Sequence, residues 1–233
     1  MQHHDELQVA LTESYNAYLE FGARSPSKIY PLHKIIGLQI GKLLSRETDV
    51  YAAKMAAENQ SGEVKVSGAF YQKNVDITLV NGKTTKSGKA SIKLHTGARV
   101  ELCVGVKFVT SNYKQNINNY FEGMIGETTN IQANGIPYGQ LIVLPEKIPY
   151  FAKNGTLKRW ETLDAKDLKK YLNLMLGQAG PHKPAFIAIK IVSINPDNSV
   201  SLQSDDKLER ILPGSTPMLT WDNALTTICG VVG

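Results

Sequence analysis

Residues 104–127 read VGVKFVTSNYKQNINNYFEGMIGE and hold two hydrophobic periods in one run. At the start, Val104, Val106 and Phe108 alternate with Gly105 and Lys107, the period of a strand whose two faces differ. A polar, amide-rich turn follows, and then Ile117, Phe121, Met124 and Ile125 recur at helical spacing. Downstream, YGQLIVLP (138–145) is a continuous apolar run, as in a strand buried on both faces. Strand, crossover helix and buried strand make a βαβ unit, so the two strands are expected to be parallel and the crossover right-handed. The fold expected is α/β (α+β): a mixed central sheet flanked by helices, with a helical amino-terminal region.

Working outward, residues 1–60 are expected to be helical. Leu7, Leu11, Tyr15, Tyr18 and Leu19 place a helix over 5–22, Ile35, Ile36, Ile40 and Leu43 one over 31–44, and TDVYAAKMAAE a third over 48–58. His33 reads as a surface or satisfied core residue. The period then changes to two. Val64, Val66 and Phe70 suggest a strand, 72–74 a turn, and 75–80 a strand with Val75, Ile77 and Leu79 on one face and Asp76 with Thr78 on the other. Asn81-Gly82 signals a hairpin. A short strand is expected over 91–94, a long one over 99–108, and the crossover helix over 116–132, stopped by Asn134-Gly135 with Pro137 beyond. After residue 145 come a loop, a helix over 164–176 with Asp164 as N-cap, a strand over 185–194 and a short return at 200–203. The last thirty residues carry few pattern signals. No repeat and no long linker divides the chain, so one domain is expected: 1–60 helical, 61–145 the core, 146–233 completing the sheet and a binding or dimer surface.

With 42% hydrophobic residues among 233, the chain has enough apolar material for a sizeable core. No run approaches membrane-span length and MQHHDELQ is not a signal peptide, so a cytoplasmic protein is expected. Cys103 lies in an apolar strand and reads as a small core residue. Two distant cysteines and five histidines without ligand spacing speak against a disulfide framework or a zinc site. The net charge of +5 permits a polyanion partner. Lys83, Lys86, Lys89, Lys93 and Arg99 fall in one segment. They form either a solvated hairpin or a loop that tracks a phosphate backbone through Lys86 and Lys89.

A lysine at the end of a buried strand needs a partner, because an isolated ammonium there costs several kcal/mol. If the strands carrying Asp76 and Lys107 are antiparallel neighbours, the start of one lies beside the end of the other and the two charges meet at one sheet edge. That arrangement serves phosphodiester hydrolysis: a carboxylate holds Mg²⁺, the metal polarises the phosphate and its water, and the lysine orients or deprotonates the nucleophile. A second acid is needed. Glu101 has the right parity but lies about 13 Å along the strand from Gly105, too far to share one metal. Glu122 is the preferred candidate, about 100° round the helix from Phe121, and Glu127 is the fallback.

The order V-D-I … G-V-K on strands, followed by a helix carrying glutamate, resembles the PD-(D/E)xK nuclease superfamily, and within it type II restriction endonucleases, over roughly residues 50–145. The usual pattern has proline where this chain has Val75 and an acid where it has Gly105. One branch of these enzymes keeps a small residue in that strand slot and carries the acid one or two turns into the following helix, which Gly105, Lys107 and Glu122 match. The resemblance implies a restriction-endonuclease-like core, Asp76 and Glu122 as metal ligands with the Val106 carbonyl, Lys107 as the water-orienting base, and Mg²⁺ as cofactor. Glu58 or Glu63 would assist a second metal. Residues 111–116 would face the major groove of double-stranded DNA, with Asn112, Tyr113, Lys114, Gln115 and Asn116 as contacts, the amides suited to adenine and the lysine to guanine or phosphate. Members that read a CCGG-type centre have an arginine–acid pair where Ser111 and Tyr113 stand, so that target is not carried over. A homodimer matched to a palindromic site is expected. The alternatives are a repair or junction nuclease of the same superfamily and an inactive DNA-binding relative.

Overall fold

The computed structural model describes residues 2–22, 25–88 and 90–232, except for the side chains of Gln2, His3 and Glu58. Six helices run α1 (Gln2–Phe21), α2 (Tyr30–Leu44), α3 (Tyr113–Gln132), α4 (Ala165–Leu176), α5 (Lys207–Ile211) and α6 (Trp221–Val232). The strands are β1 (Val50–Ala52), β2 (Glu63–Ser67), β3 (Gln72–Val75), β4 (Ile77–Asn81), β5 (Thr84–Ser87), β6 (Ser91–Leu94), β7 (Arg99–Phe108), β8 (Tyr138–Pro145), β9 (Lys147–Phe151), β10 (Leu157–Thr162), β11 (Phe186–Ile194) and β12 (Val200–Leu202). The central sheet is mixed, in the order β1-β4-β7-β8-β11-β12. β8 pairs in parallel with both β7 and β11, and the other neighbours are antiparallel. A four-stranded sheet β3-β2-β6-β5 and the hairpin β9–β10 complete the strands.

The alternation read from β7 decides the layering. Leu102, Val104, Val106 and Phe108 bury against α1, α2 and α6, through Leu11, Ile36, Ile40 and Trp221 among others. On the opposite face, Ile142, Leu144, Ile187 and Ile189 pack under α3 and α4 through Tyr113, Met124, Leu168 and Tyr171. Near the start of β8, Cys103, Val80 and Tyr138 meet Val64, Val66 and Ile92 of the smaller sheet. Cys103 is thus a core residue, and its burial pushes the thiol pKa far above the ordinary range. Among the described residues, no helix is long and apolar enough to cross a membrane.

Four expectations need correction. The third helix over 48–58 is replaced by β1, because Val50-Tyr51-Ala52 pair antiparallel with β4 and that pairing outweighs helix propensity. Residues 72–74 are strand, paired with β2. Val75 does not share a face with Ile77 and Leu79: it buries in the small-sheet core while they bury against the α1–α2 side. The chain leaves one sheet and enters the other at Asp76, which belongs to neither strand. Finally, the loop expected after residue 145 contains the β9–β10 hairpin, and the carboxy-terminal stretch ends in α6.

Candidate active site and metal centre

β4 and β7 are antiparallel neighbours whose ladder stops at Ile77↔Val104. Beyond it the Val106 N–H has no strand partner on that side, and the Asp76 carboxylate takes it, Val106 N to Asp76 Oδ2 at 2.8 Å. Asp76 is thereby fixed beside the end of β7, as the antiparallel expectation required. Lys107 points into the same cleft, with Nζ 4.7 Å from the centre of the Tyr120 ring. Burial of the cleft pushes the Lys107 pKa below the ordinary lysine value; Asp76 and Glu127 oppose this and Lys73 reinforces it. The cleft encloses about 470 Å³ and is lined by Lys28, His33, Lys73, Asp76, Gly105, Lys107 and Glu127 among others.

Gly105 stands two residues before Lys107 on β7, and its neighbours show what fills the space a side chain would need. A Cβ built there would lie 2.1 Å from the Tyr138 hydroxyl and 2.7 Å from Gln140 Oε1, so a side chain has no room without rearrangement. The Tyr138 hydroxyl lies 2.9 Å from Glu127 Oε2 and 3.1 Å from Gln140 Oε1. Lys73 forms an ion pair with the other Glu127 oxygen. The helix acid that reaches the strand slot is therefore Glu127. Glu122 is exposed and does not line the cleft; its charge acts instead on Lys170 of α4, where with Asp167 it opposes the lowering of the lysine pKa by burial. The reason is helical phase: α3 lines the cleft with Asn119, Tyr120, Gly123, Met124 and Glu127, and Glu122 stands about 140° round the helix from Glu127. The expectation that Glu122 joins Asp76 and Lys107 is corrected accordingly.

The structure also brings in a histidine set aside on sequence. His33 is not the satisfied residue expected: its side chain is 2% exposed, and neither ring nitrogen has a hydrogen-bond partner among the described residues. Nε2 lies 3.9 Å from Asp76 Oδ2. One donor atom each of His33, Glu63 and Asp76 falls within 4.8 Å of the others. Burial lowers the His33 pKa, with Asp76 opposing, so the imidazole is held in its neutral, ligand-competent form. Burial and the neighbouring Asp76 raise the Glu63 pKa, against Lys73. Two carboxylates and a neutral imidazole suit a divalent cation. The only signal in the sequence was the placing of His33 beside Leu32 and three residues before Ile36, on the apolar side of its helix. Of the two upstream glutamates, Glu63 is at the site, while the Glu58 side chain lies outside the described residues.

The expected DNA-contacting residues divide. The Asn112 amide donates to Phe151 O at 3.0 Å and accepts from Phe151 N at 2.8 Å, clasping the hairpin to the start of α3. Tyr113 is buried, with its hydroxyl directed at Asp167 O. These two hold the fold together: Tyr113 is in the core, and Asn112, at the rim of a shallow concavity, commits its amide to the hairpin backbone. Lys114 pairs with Asp164 at 3.1 Å and Asp167 at 3.5 Å, and the Asn116 amide donates to Asn112 O. Gln115 is exposed and lines a shallow concavity with Tyr150, Lys153 and Lys158. Lys86 lies half-buried on β5, and Lys89 lies outside the described residues. No protein-family model matches this chain, and no curated protein and no solved structure matches it.

Proposed function

We propose that the protein is a Mg²⁺-dependent, sequence-specific endonuclease of double-stranded DNA, of the type II restriction class and active as a homodimer. The observation that carries this reading is the convergence of Asp76, Lys107 and Glu127 on one cleft around Gly105. Asp76 would hold the cation, with Glu127 as the acid on the Gly105 side and Glu63 on the His33 side. A divalent cation there supplies Lewis-acid polarisation of the scissile phosphate. Lys107, whose pKa is lowered by burial, takes the proton of the attacking water. Tyr138 orients Glu127, and Lys28 and Lys73 offset the charge of the phosphate.

The test is incubation of the purified chain with plasmid and phage DNA in Mg²⁺. Discrete fragments are expected, with cleavage reduced ~10²–10⁴-fold in Asp76→Ala, Lys107→Ala and Glu127→Ala, and little changed in Glu122→Ala. Cleavage should rise with pH and level off below the range of an ordinary lysine. A smear, or cutting confined to junctions, would point to the repair-type alternative, and binding without cleavage in any divalent ion to an inactive relative. Loss of activity in Glu122→Ala with Glu127→Ala unaffected would reverse the assignment of the helix acid.

A further inference from the structure

We infer that His33, Glu63 and Asp76 form a mixed nitrogen–oxygen site for a divalent transition-metal ion, Mn²⁺ or a later one such as Co²⁺, preferred there over Mg²⁺. This deepens the reading of the cleft as a metal centre and rests on Asp76 being a ligand, but it does not require DNA to be the substrate. The carrying observation is His33. A buried imidazole with both nitrogens unpartnered among the described residues leaves two polar groups without compensation for their lost hydration. Nε2 is aimed into the cleft at a carboxylate, yet stands 3.9 Å from it, too far for a hydrogen bond.

That spacing fits two donors on one ion. With bonds of about 2.1 Å, adjacent ligands lie about 3 Å apart and opposite ones about 4.2 Å apart. At most one of the three pairs can be opposite, so from the 4.8 Å bound the other separations must close by about an ångström or more, a movement within reach of side-chain rotation. The three ligands come from different elements: His33 from α2, Glu63 from the start of β2, and Asp76 from the crossing between sheets. An ion there would tie the helical layer to both sheets. Mg²⁺ favours an all-oxygen, largely hydrated shell, whereas affinity for a site containing nitrogen rises along the transition series from Mn²⁺ to Co²⁺ and beyond, so a histidine at this position disfavours Mg²⁺.

The experiment is Mn²⁺ binding to the full chain, followed by the electron paramagnetic resonance of free Mn²⁺ and by calorimetry, with Mg²⁺ as competitor. Wild type is expected to bind Mn²⁺ about tenfold or more tighter than Mg²⁺, and His33→Gln to lose that preference. Glu63→Gln should weaken both ions. Because His33 is buried and its variant is at risk of misfolding, a second measurement uses wild type alone. Substoichiometric Mn²⁺ should broaden the ring nitrogen resonances of His33 ahead of those of the other four histidines. An unaffected His33 ring, or equal ion preference in wild type and a folded His33→Gln, would overturn the inference. DNA cleavage with the His33 ring untouched by Mn²⁺ would remove this site and leave the nuclease. Mn²⁺ on His33 without cleavage in any ion would do the reverse.

Discussion

Glu101 accepts from Arg46 Nη1 at 2.6 Å, from Asn81 Nδ2 at 3.0 Å and from Arg99 Nη2 at 3.0 Å. Burial alone would raise its pKa, but these donors bring it below the ordinary glutamate value. A carboxylate depressed in the folded state contributes stability above its unfolded pKa and loses it as pH falls through the folded one. Glu101→Gln is therefore expected to cost about 1 kcal/mol at neutral pH, with the difference closing below about pH 4, as read by urea unfolding at the two pH values. The strand distance that set Glu101 aside as a metal ligand was legible in the sequence, while its three donors, from separate segments, were not. His33 shows the opposite case. A histidine on an apolar helix side is ambiguous until its surroundings are known, and what distinguishes it is that neither nitrogen finds a partner among the described residues.

Among the elements, α4 begins with a reciprocal cap. Asp164 accepts from the N–H groups of Lys166 and Asp167, and the Asp167 carboxylate accepts from Asp164 N at 3.0 Å. Lys114, at the first turn of α3, pairs with Asp164, so the cap also ties the two helices together. Asp164→Ala is expected to destabilise by about 1 kcal/mol, lowering the melting temperature by about 2–4 °C in a thermal unfolding scan. This cap was readable because its residues are local. β7, α3 and β8 were readable for the same reason, each long enough to show its period. β1, three residues in a helix-like run, had no length in which to declare a period and is fixed by its pairing with β4. In the β9–β10 hairpin, β9 is short and interrupted by Pro149 and β10 is almost wholly exposed, so no alternation marked it. Glu122 was preferred for its place early in the helix. The deciding quantity was phase: α3 runs back along the sheet, and its later turns pass Gly105.

Across the molecule, the two faces of the central sheet divide the labour. The α3–α4 face and the small sheet frame the cleft together with His33 of α2, while α1, the apolar side of α2 and α6 pack on the opposite face. α6 comes from the stretch with the fewest sequence signals, yet Trp221 is 2% exposed and Ala224 and Ile228 are fully buried. Glycine and β-branched residues give it weak intrinsic helicity, so packing forms it. Trp221→Ala is expected to cost about 3–5 kcal/mol, with near-ultraviolet circular dichroism and urea titration as the measurement. The mixed sheet was thus legible from its central strands outward, and least so at its edges and over its far face.

One feature constrains how this chain can vary in length. Asp76 is the single residue between β3 and β4, so its side chain is aimed by the registers of two ladders at once. Because strand side chains alternate with period two, one residue inserted between 72 and 81 would turn the carboxylate away from the Val106 N–H or slip one sheet against its partner. The β11–β12 turn, at the far edge of the central sheet, can lengthen or shorten without moving Asp76. Insertions and deletions are therefore expected to accumulate in that turn and to be excluded on both sides of residue 76.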